Sequence, residues 1–215
     1  MGEKRQARQG ADVLLQEEPL RFQTRKQVGL LGGNFNPVHL AHLVMADQVQ
    51  NQLGLDKVYL MPTYLPPHVD EKKTISSEHR LAMLELAVAD NPCLDIEPIE
   101  LIRKGKSYTY DTMKALKEAN PDTDYYFIIG GDMVEYLPKW HRIDDLLHLV
   151  QFVGIRRPNY PTESTYPIIW VDVPQMAISS TLIRQKVKSG CSIRYLLPEN
   201  VINYIQEKGL YQDEQ

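Results

Sequence analysis

The chain has 215 residues, 43% apolar and 24% charged, with 24 Lys and Arg against 28 Asp and Glu for a formal net charge of −4. That length suits one soluble domain with its own core. The composition lacks both the basic excess of a general nucleic-acid binder and any run of about 18 apolar residues able to span a membrane. Two cysteines, Cys93 and Cys191, form neither a CxxC pair nor a zinc pattern, which suits a reducing, cytoplasmic setting.

Residues 1–26 read as an extension, polar and mixed in charge, and residues 27–215 as the folded domain. The extension has no apolar stretch for a secretory signal. Gln6 stands where a Met-Gly myristoylation signal needs Ser or Thr. From Gln27 the pattern changes. Val28-Gly29-Leu30-Leu31-Gly32-Gly33 is an apolar run ending in glycines, as expected of a buried parallel strand opening onto a loop. Pro37 is expected in the first turn of a helix that runs through Leu40, Leu43 and Val44 to Leu53 and ends at Gly54.

The alternation then repeats. Lys57–Met61 reads as a second strand stopped by Pro62. Ser76 caps a helix running to Ala89, with His79 where a capping box would carry Glu. Leu94–Ile96 reads as a third strand, Thr109–Ala119 as a helix, and Asp124–Ile129 as a strand ending at Gly130-Gly131-Asp132. Val150–Ile155 and Ile168–Val171 follow as strands, then Ser180–Lys188 and Glu199–Lys208 as helices. Strands alternating with helices of this length predict an α/β fold, a Rossmann-like doubly wound parallel sheet.

Ligands of such sheets bind beyond the carboxyl ends of the strands, where the strand order reverses. The loop after the first strand reads Gly32-Gly33-Asn34-Phe35-Asn36-Pro37-Val38-His39-Leu40-Ala41-His42. It is neither GxGxxG nor a Walker A loop. It does offer a glycine pair that admits a phosphate to the backbone, then a helix start whose free N–H groups favour anions. His39 and His42 lie three residues apart, on one face, where imidazole can donate to phosphate oxygens and adapt its charge near neutral pH. A capping or packing role for one of them is the plainer alternative; zinc would need a third ligand that no pattern supplies. The second constellation is Ile178-Ser179-Ser180-Thr181-Leu182-Ile183-Arg184. One hydroxyl is explained as an N-cap. Arg184, one turn beyond Ser180, adds a guanidinium above a hydroxyl and N–H cluster, a second phosphate clamp, unless it is only a solvated helix face.

The ordered pair of motifs resembles the nucleotidyltransferase superfamily with the His-x-Gly-His signature, and most nearly the bacterial nicotinate mononucleotide adenylyltransferases. Pro66-Pro67-His68, the Gly130-Gly131-Asp132 strand end and Trp140 after Leu137 extend the resemblance, which spans about Val28 to Leu210. Two departures stand out. Ala41 replaces the signature's glycine, and Val69 stands where relatives usually carry Lys, with Lys72 and Lys73 nearby.

The resemblance implies transfer of the adenylyl group of ATP to nicotinate mononucleotide, giving deamido-NAD and pyrophosphate in NAD biosynthesis. It implies His39, His42 and Arg184 as catalytic residues, acting on the α-phosphate (the histidines) and the β/γ end (Arg184). It places Gly32, Gly33, Asn34, Phe35, Gly130, Asp132, Ile178, Ser179, Ser180 and Thr181 around the nucleotide. Asp132 and the Gly130-Gly131 pair would hold ribose or adenine. Tyr108, Thr109, Leu137 and Trp140 would bind the pyridine mononucleotide, Trp140 by stacking and Thr109 with neighbouring N–H groups at the nicotinate carboxylate. Mg2+ would arrive with ATP and no metal would be held by a cage of carboxylates. The expected partners are the two substrates, without nucleic acid or membrane; self-association stays open. A related adenylyl- or cytidylyltransferase, such as the phosphopantetheine enzyme, and a non-catalytic nucleotide sensor are the competing readings.

Overall fold

A computed structural model describes residues 25–65, 74–157, 160 and 162–212. Six strands form one sheet, all parallel: β1 (Lys26–Gly33), β2 (Lys57–Pro62), β3 (Leu94–Ile96), β4 (Thr123–Gly130), β5 (Val150–Ile155) and β6 (Ile168–Val171). Their order is β3-β2-β1-β4-β5-β6. The chain winds outward from β1 through β2 to β3, then crosses back to the other side of β1 to continue with β4. The order therefore reverses between β1 and β4, which opens the crevice where a doubly wound sheet takes its ligands. The register sets Gly33 opposite Pro62 and Leu31 opposite Ile128, so the loops after β1, β2 and β4 leave the sheet side by side.

Helices cover both faces, which explains why the central strands read as continuous apolar runs. On one face Leu31, Val58, Leu60, Ile128, Val153 and Ile155 pack under α1 (Leu40–Leu53), α2 (Ser77–Val88), α7 (Ser180–Lys188) and α8 (Glu199–Glu207). On the other, Leu30, Met61, Phe127, Ile129 and Phe152 pack under α4 (Thr109–Ala119) and α6 (Ile143–Leu146). Each completely buried side chain of this kind contributes roughly 1.5–3 kcal/mol from removal of apolar surface from water. Two helix ends match the sequence reading: Gly54 terminates α1 in the left-handed region at φ 63°, and Ser76 caps α2 by accepting the His79 N–H.

Two expectations need correction. Pro37 is not in the first helical turn. His39 is the N-cap, and the next amide, from Leu40, donates to the Leu196 carbonyl, so the helix begins three residues after the proline. The sequence reading named no element between β3 and α4, where α3 (Ile99–Arg103) sits, or between β4 and β5, where α5 (Gly131–Val134), a 3-10 turn (Leu137–Lys139) and α6 fill the space. Elements of three to five residues are too short for a helical period to show.

Candidate active site

The loop leaving β1 is built around an aromatic wedge. Phe35 is buried and adopts φ 46°, in the left-handed region that costs a bulky residue energy. Its ring lies against Gly33, where a Cβ would come 3.0–3.3 Å from ring atoms, tighter than ordinary contact. The same ring meets His42 edge-on, with centroids 4.9 Å apart. Gly32, Gly33, Asn34 and His42 line a cavity of about 500 Å3.

His39 lies behind His42, outside the cavity wall, with the rings stacked at 3.6 Å and 21° apart in plane. The His39 backbone N–H donates to His42 Nδ1 at 3.3 Å. An amide can only donate, so that nitrogen is an acceptor and the proton of the neutral ring resides on Nε2. Burial pulls the His39 imidazole down to about 4 from its usual value. Burial, and secondarily the neighbouring His39, hold His42 well below the ordinary histidine range. At neutral pH both rings are uncharged, so the expected adaptable positive charge gives way to a neutral N–H donor of defined tautomer.

The distant motif closes on this loop. Ser179 is the N-cap of α7, accepting from the Leu182 N–H at 3.2 Å. Ser180 Oγ donates to the Pro37 carbonyl at 2.8 Å, and Arg184 Nη1 donates to the Asn36 carbonyl at 2.7 Å while Nη2 donates to Thr181 Oγ1 at 3.2 Å. The two constellations read separately in the sequence are thus in direct contact. Ser179 and Thr181 are exposed, and Ile178, Ser180 and Arg184 partly so; none of the five lines the cavity.

The start of α4 also lines the cavity. Ser107, Tyr108 and Thr109 line it, with Tyr108 as N-cap, so the first-turn amides have no partners within the helix. Trp140 forms part of the same wall and stands edge-on to Phe127 and Phe152, both at 5.9 Å. Leu137 departs from expectation. Its side chain is completely buried and does not line the cavity; its carbonyl accepts the Trp140 N–H at 2.9 Å and ends the turn that places the indole. Gly130 lines the cavity but Asp132 does not; Asp132 Oδ1 is instead paired with Arg157 Nη1 at 3.2 Å, and Arg157 is in the wall.

Sequence reading missed Arg157, Glu100 and Arg80. Glu100 lines the cavity, is buried, accepts from Thr112 Oγ1 at 3.0 Å, and its carboxyl is raised above the usual range, chiefly by burial. Arg80 reaches Asn34 from α2. Nothing local marks any of the three. Pro66, Pro67, His68, Val69, Lys72 and Lys73 lie outside the described residues. Among the described residues no group of three or more His, Cys, Asp or Glu could hold a metal ion, and no helix is long and apolar enough to cross a membrane.

A parallel sheet whose switch-point crevice is lined by a glycine loop and a histidine, with a second helix start bearing hydroxyl and guanidinium groups bonded to that loop, is a nucleotide-handling architecture. The family model described as cytidylyltransferase-like matches residues 30–186, a stretch that contains both motifs. A curated relative from Streptococcus mutans serotype c, named "Probable nicotinate-nucleotide adenylyltransferase", is 62% identical over 196 residues, covering 91% of this chain and 93% of its own. A relative of the same name from Streptococcus pneumoniae serotype 4 is 62% identical over 195 residues, with the same coverage. The chain belongs to the nicotinate-nucleotide adenylyltransferases, within the cytidylyltransferase-like family. The fold is shared with a solved Plasmodium falciparum nicotinic acid mononucleotide adenylyltransferase complexed with NaAD, at a TM-score of 0.73 and 19% identity, covering 88% of this chain and 99% of that one.

Proposed function

We propose that this chain transfers the adenylyl group of ATP to nicotinate mononucleotide, releasing pyrophosphate and forming deamido-NAD. The observation that carries this reading is the meeting of the two phosphate motifs, through Ser180–Pro37 and Arg184–Asn36, on the loop whose Gly32, Gly33 and Asn34 line a cavity shared with a helix start and a tryptophan.

The 5′-phosphate of the mononucleotide is the nucleophile. Its oxygen attacks the α-phosphorus of ATP in line, the bond from the α-phosphorus to the α,β-bridging oxygen breaks, and pyrophosphate leaves with that electron pair. The nucleophile is already an anion, so the step needs no general base. Catalysis then rests on positioning and on stabilising negative charge. His42 donates its Nε2 proton as a hydrogen bond to the α-phosphate. His39 acts from behind, fixing the tautomer and plane of His42. Gly32, Gly33, Asn34 and Phe35 present the loop backbone to the phosphates. The start of α7, with Ile178, Ser179, Ser180 and Thr181, binds the nucleotide, and Arg184 meets the leaving β/γ end. ATP enters as its magnesium salt, with the ion held on the triphosphate oxygens as part of the substrate. Gly130 and the Asp132–Arg157 pair flank the ribose and adenine side.

Trp140 stacks on the pyridine ring, Leu137 serves by placing it, and Thr109 with the first amides of α4 receives the nicotinate carboxylate. The unit doing this spans residues 27–215. Cys93 and Cys191 are free thiols, which suits a cytoplasmic enzyme. The test is pyrophosphate release with ATP and a panel of acceptors: nicotinate mononucleotide, nicotinamide mononucleotide and phosphopantetheine. Release with the first alone, or far ahead of the others, is the expected result.

A further inference from the structure

Neither the loop of residues 32–37 nor the two histidines beside it carries a charge at neutral pH, although the site receives a triphosphate. A buried cation stands next to that loop. Arg80, in the first turn of α2, is 2% exposed, and its Nη1 donates to Asn34 O at 2.9 Å, Asn34 Oδ1 at 3.1 Å and Thr63 O at 2.8 Å. Asn34 and Thr63 both stand in the cavity wall. Arg80 Nε is buried with no acceptor, and among the described residues the guanidinium's partners are the Asn34 and Thr63 oxygens, none of them a carboxylate. Burial lowers its proton affinity, yet an arginine begins so far above neutrality that it stays charged.

Burying a cation without a counter-ion among the described residues is unfavourable, so the arrangement calls for a compensating purpose. Its geometry supplies one. Three oxygens from two segments converge on a single nitrogen, which ties the phosphate loop to the end of β2. The Asn34 carbonyl is turned onto Arg80, and in a trans peptide the Phe35 N–H then points the opposite way. The direction of a loop amide is thereby set by a residue 46 positions further along the chain.

We propose that Arg80 is a positioning residue for adenylyl transfer: it presets the Asn34–Phe35 segment for the ATP phosphates, and its positive charge adds to their attraction. This deepens the reading of the cavity as an ATP site and rests on it. A residue needed only for stability would alter unfolding but not the response to ATP.

The test uses the full chain with Arg80→Lys, Arg80→Met, Asn34→Ala and the double variant Arg80→Lys/Asn34→Ala. Thermal unfolding, ATP affinity by calorimetry with ATP alone, and steady-state constants for both substrates are measured. Lysine keeps the charge, but its flexible stem ends in a compact, strongly hydrated ammonium instead of a planar group that fixes the donor nitrogen, so Arg80→Lys is expected to weaken ATP binding and lower kcat/KM for ATP about tenfold, and Arg80→Met by more. The KM for the mononucleotide should change less than about twofold. The double variant should be no worse than about threefold below the poorer single variant, because both substitutions remove one shared clamp. Folded Arg80 variants with ATP affinity and kcat/KM within about twofold of the parent overturn the proposal; so do effects of Arg80→Lys and Asn34→Ala that simply multiply. If neither Arg80 variant folds, Asn34→Ala alone must still weaken ATP while sparing the mononucleotide, or the proposal fails. Because ATP binding is read without any acceptor, an enzyme inactive with nicotinate mononucleotide would refute the proposed reaction while leaving the Arg80 result separately readable.

Discussion

His39 lies flat on His42, ring centroids 3.6 Å apart, and donates its backbone N–H to Nδ1 of that same ring. One residue thus sets both the plane and the tautomer of the other. His42 is left as a neutral donor held ready before substrate arrives, the preorganisation expected of a group that stabilises developing charge. His42→Ala should lower kcat by roughly 10²–10³ while changing the KM for ATP far less. Steady-state kinetics on the folded variant decides it, and an unchanged kcat would reduce His42 to a packing residue.

The buried histidines also give stability an acid limb. A histidine whose folded value is depressed binds its proton more readily when unfolded, so the native state loses ground as pH falls from 6.5 toward about 4. For His39 the gap corresponds to roughly 3 kcal/mol, fully lost below about pH 4 and absent above the unfolded value. His39→Gln should flatten that part of the profile. Urea unfolding of both proteins at pH 7 and pH 4.5 measures the difference, and parallel profiles would contradict it.

Much of the fold was legible because its signals are local. The run Val28–Gly33 shows both its apolar character and its closing glycines within six residues, and Ser76 with His79 shows a cap within one turn. The motif ending in Arg184 was visible for the same reason, though its contact with Asn36, 148 residues away, was not. Arg80 sits on α2 like any solvated arginine until folding buries it. Tyr211 likewise looks like a tail residue, yet its hydroxyl donates to Asn36 Oδ1 at 2.8 Å across 175 residues. Leu137 was misplaced for a related reason: the residue that orients Trp140 does so with its carbonyl, which side-chain chemistry cannot reveal.

Arg184 holds the Asn36 carbonyl and Thr181 hydroxyl with two separate nitrogens. A lysine keeps the charge but offers a single point donor, so Arg184→Lys should recover little of the activity lost in Arg184→Ala. Comparing kcat/KM for ATP across the pair checks this. Near-parental activity in the lysine variant would mean that only long-range charge matters.

Gly32 and Gly33 should respond differently to alanine. A Cβ at Gly33 meets the Phe35 ring at 3.0–3.3 Å, and Phe35 is held at φ 46°, so Gly33→Ala should destabilise the protein by about 1–3 kcal/mol. At Gly32 the nearest neighbours are Phe127 at 3.4 Å and Met61 at 3.9 Å, ordinary contact distances. Gly32→Ala should therefore leave stability within about 0.5 kcal/mol but weaken ATP, because its methyl group intrudes where phosphates approach. Thermal unfolding alongside ATP calorimetry separates the two, and equal loss of stability would refute the distinction.

Trp140 contacts the ring of the acceptor and not its substituent in this account, so Trp140→Ala should weaken nicotinate and nicotinamide mononucleotide alike. The ratio of their kcat/KM values should survive the substitution. A ratio that collapses would assign the reading of the substituent to Trp140.

The acid–amide comparison in the unsubstituted enzyme tests the central claim most directly. The first amides of α4, beside Thr109, can each donate to a carboxylate, whereas a carboxamide turns an NH2 donor toward them and leaves donors unpaired at about 1–3 kcal/mol per group. Pyrophosphate release is measured with ATP and each mononucleotide in turn. The account predicts turnover with nicotinate mononucleotide and a kcat/KM about 10²-fold or more above that for the nicotinamide form. Equal values, or release only with the amide, would contradict it.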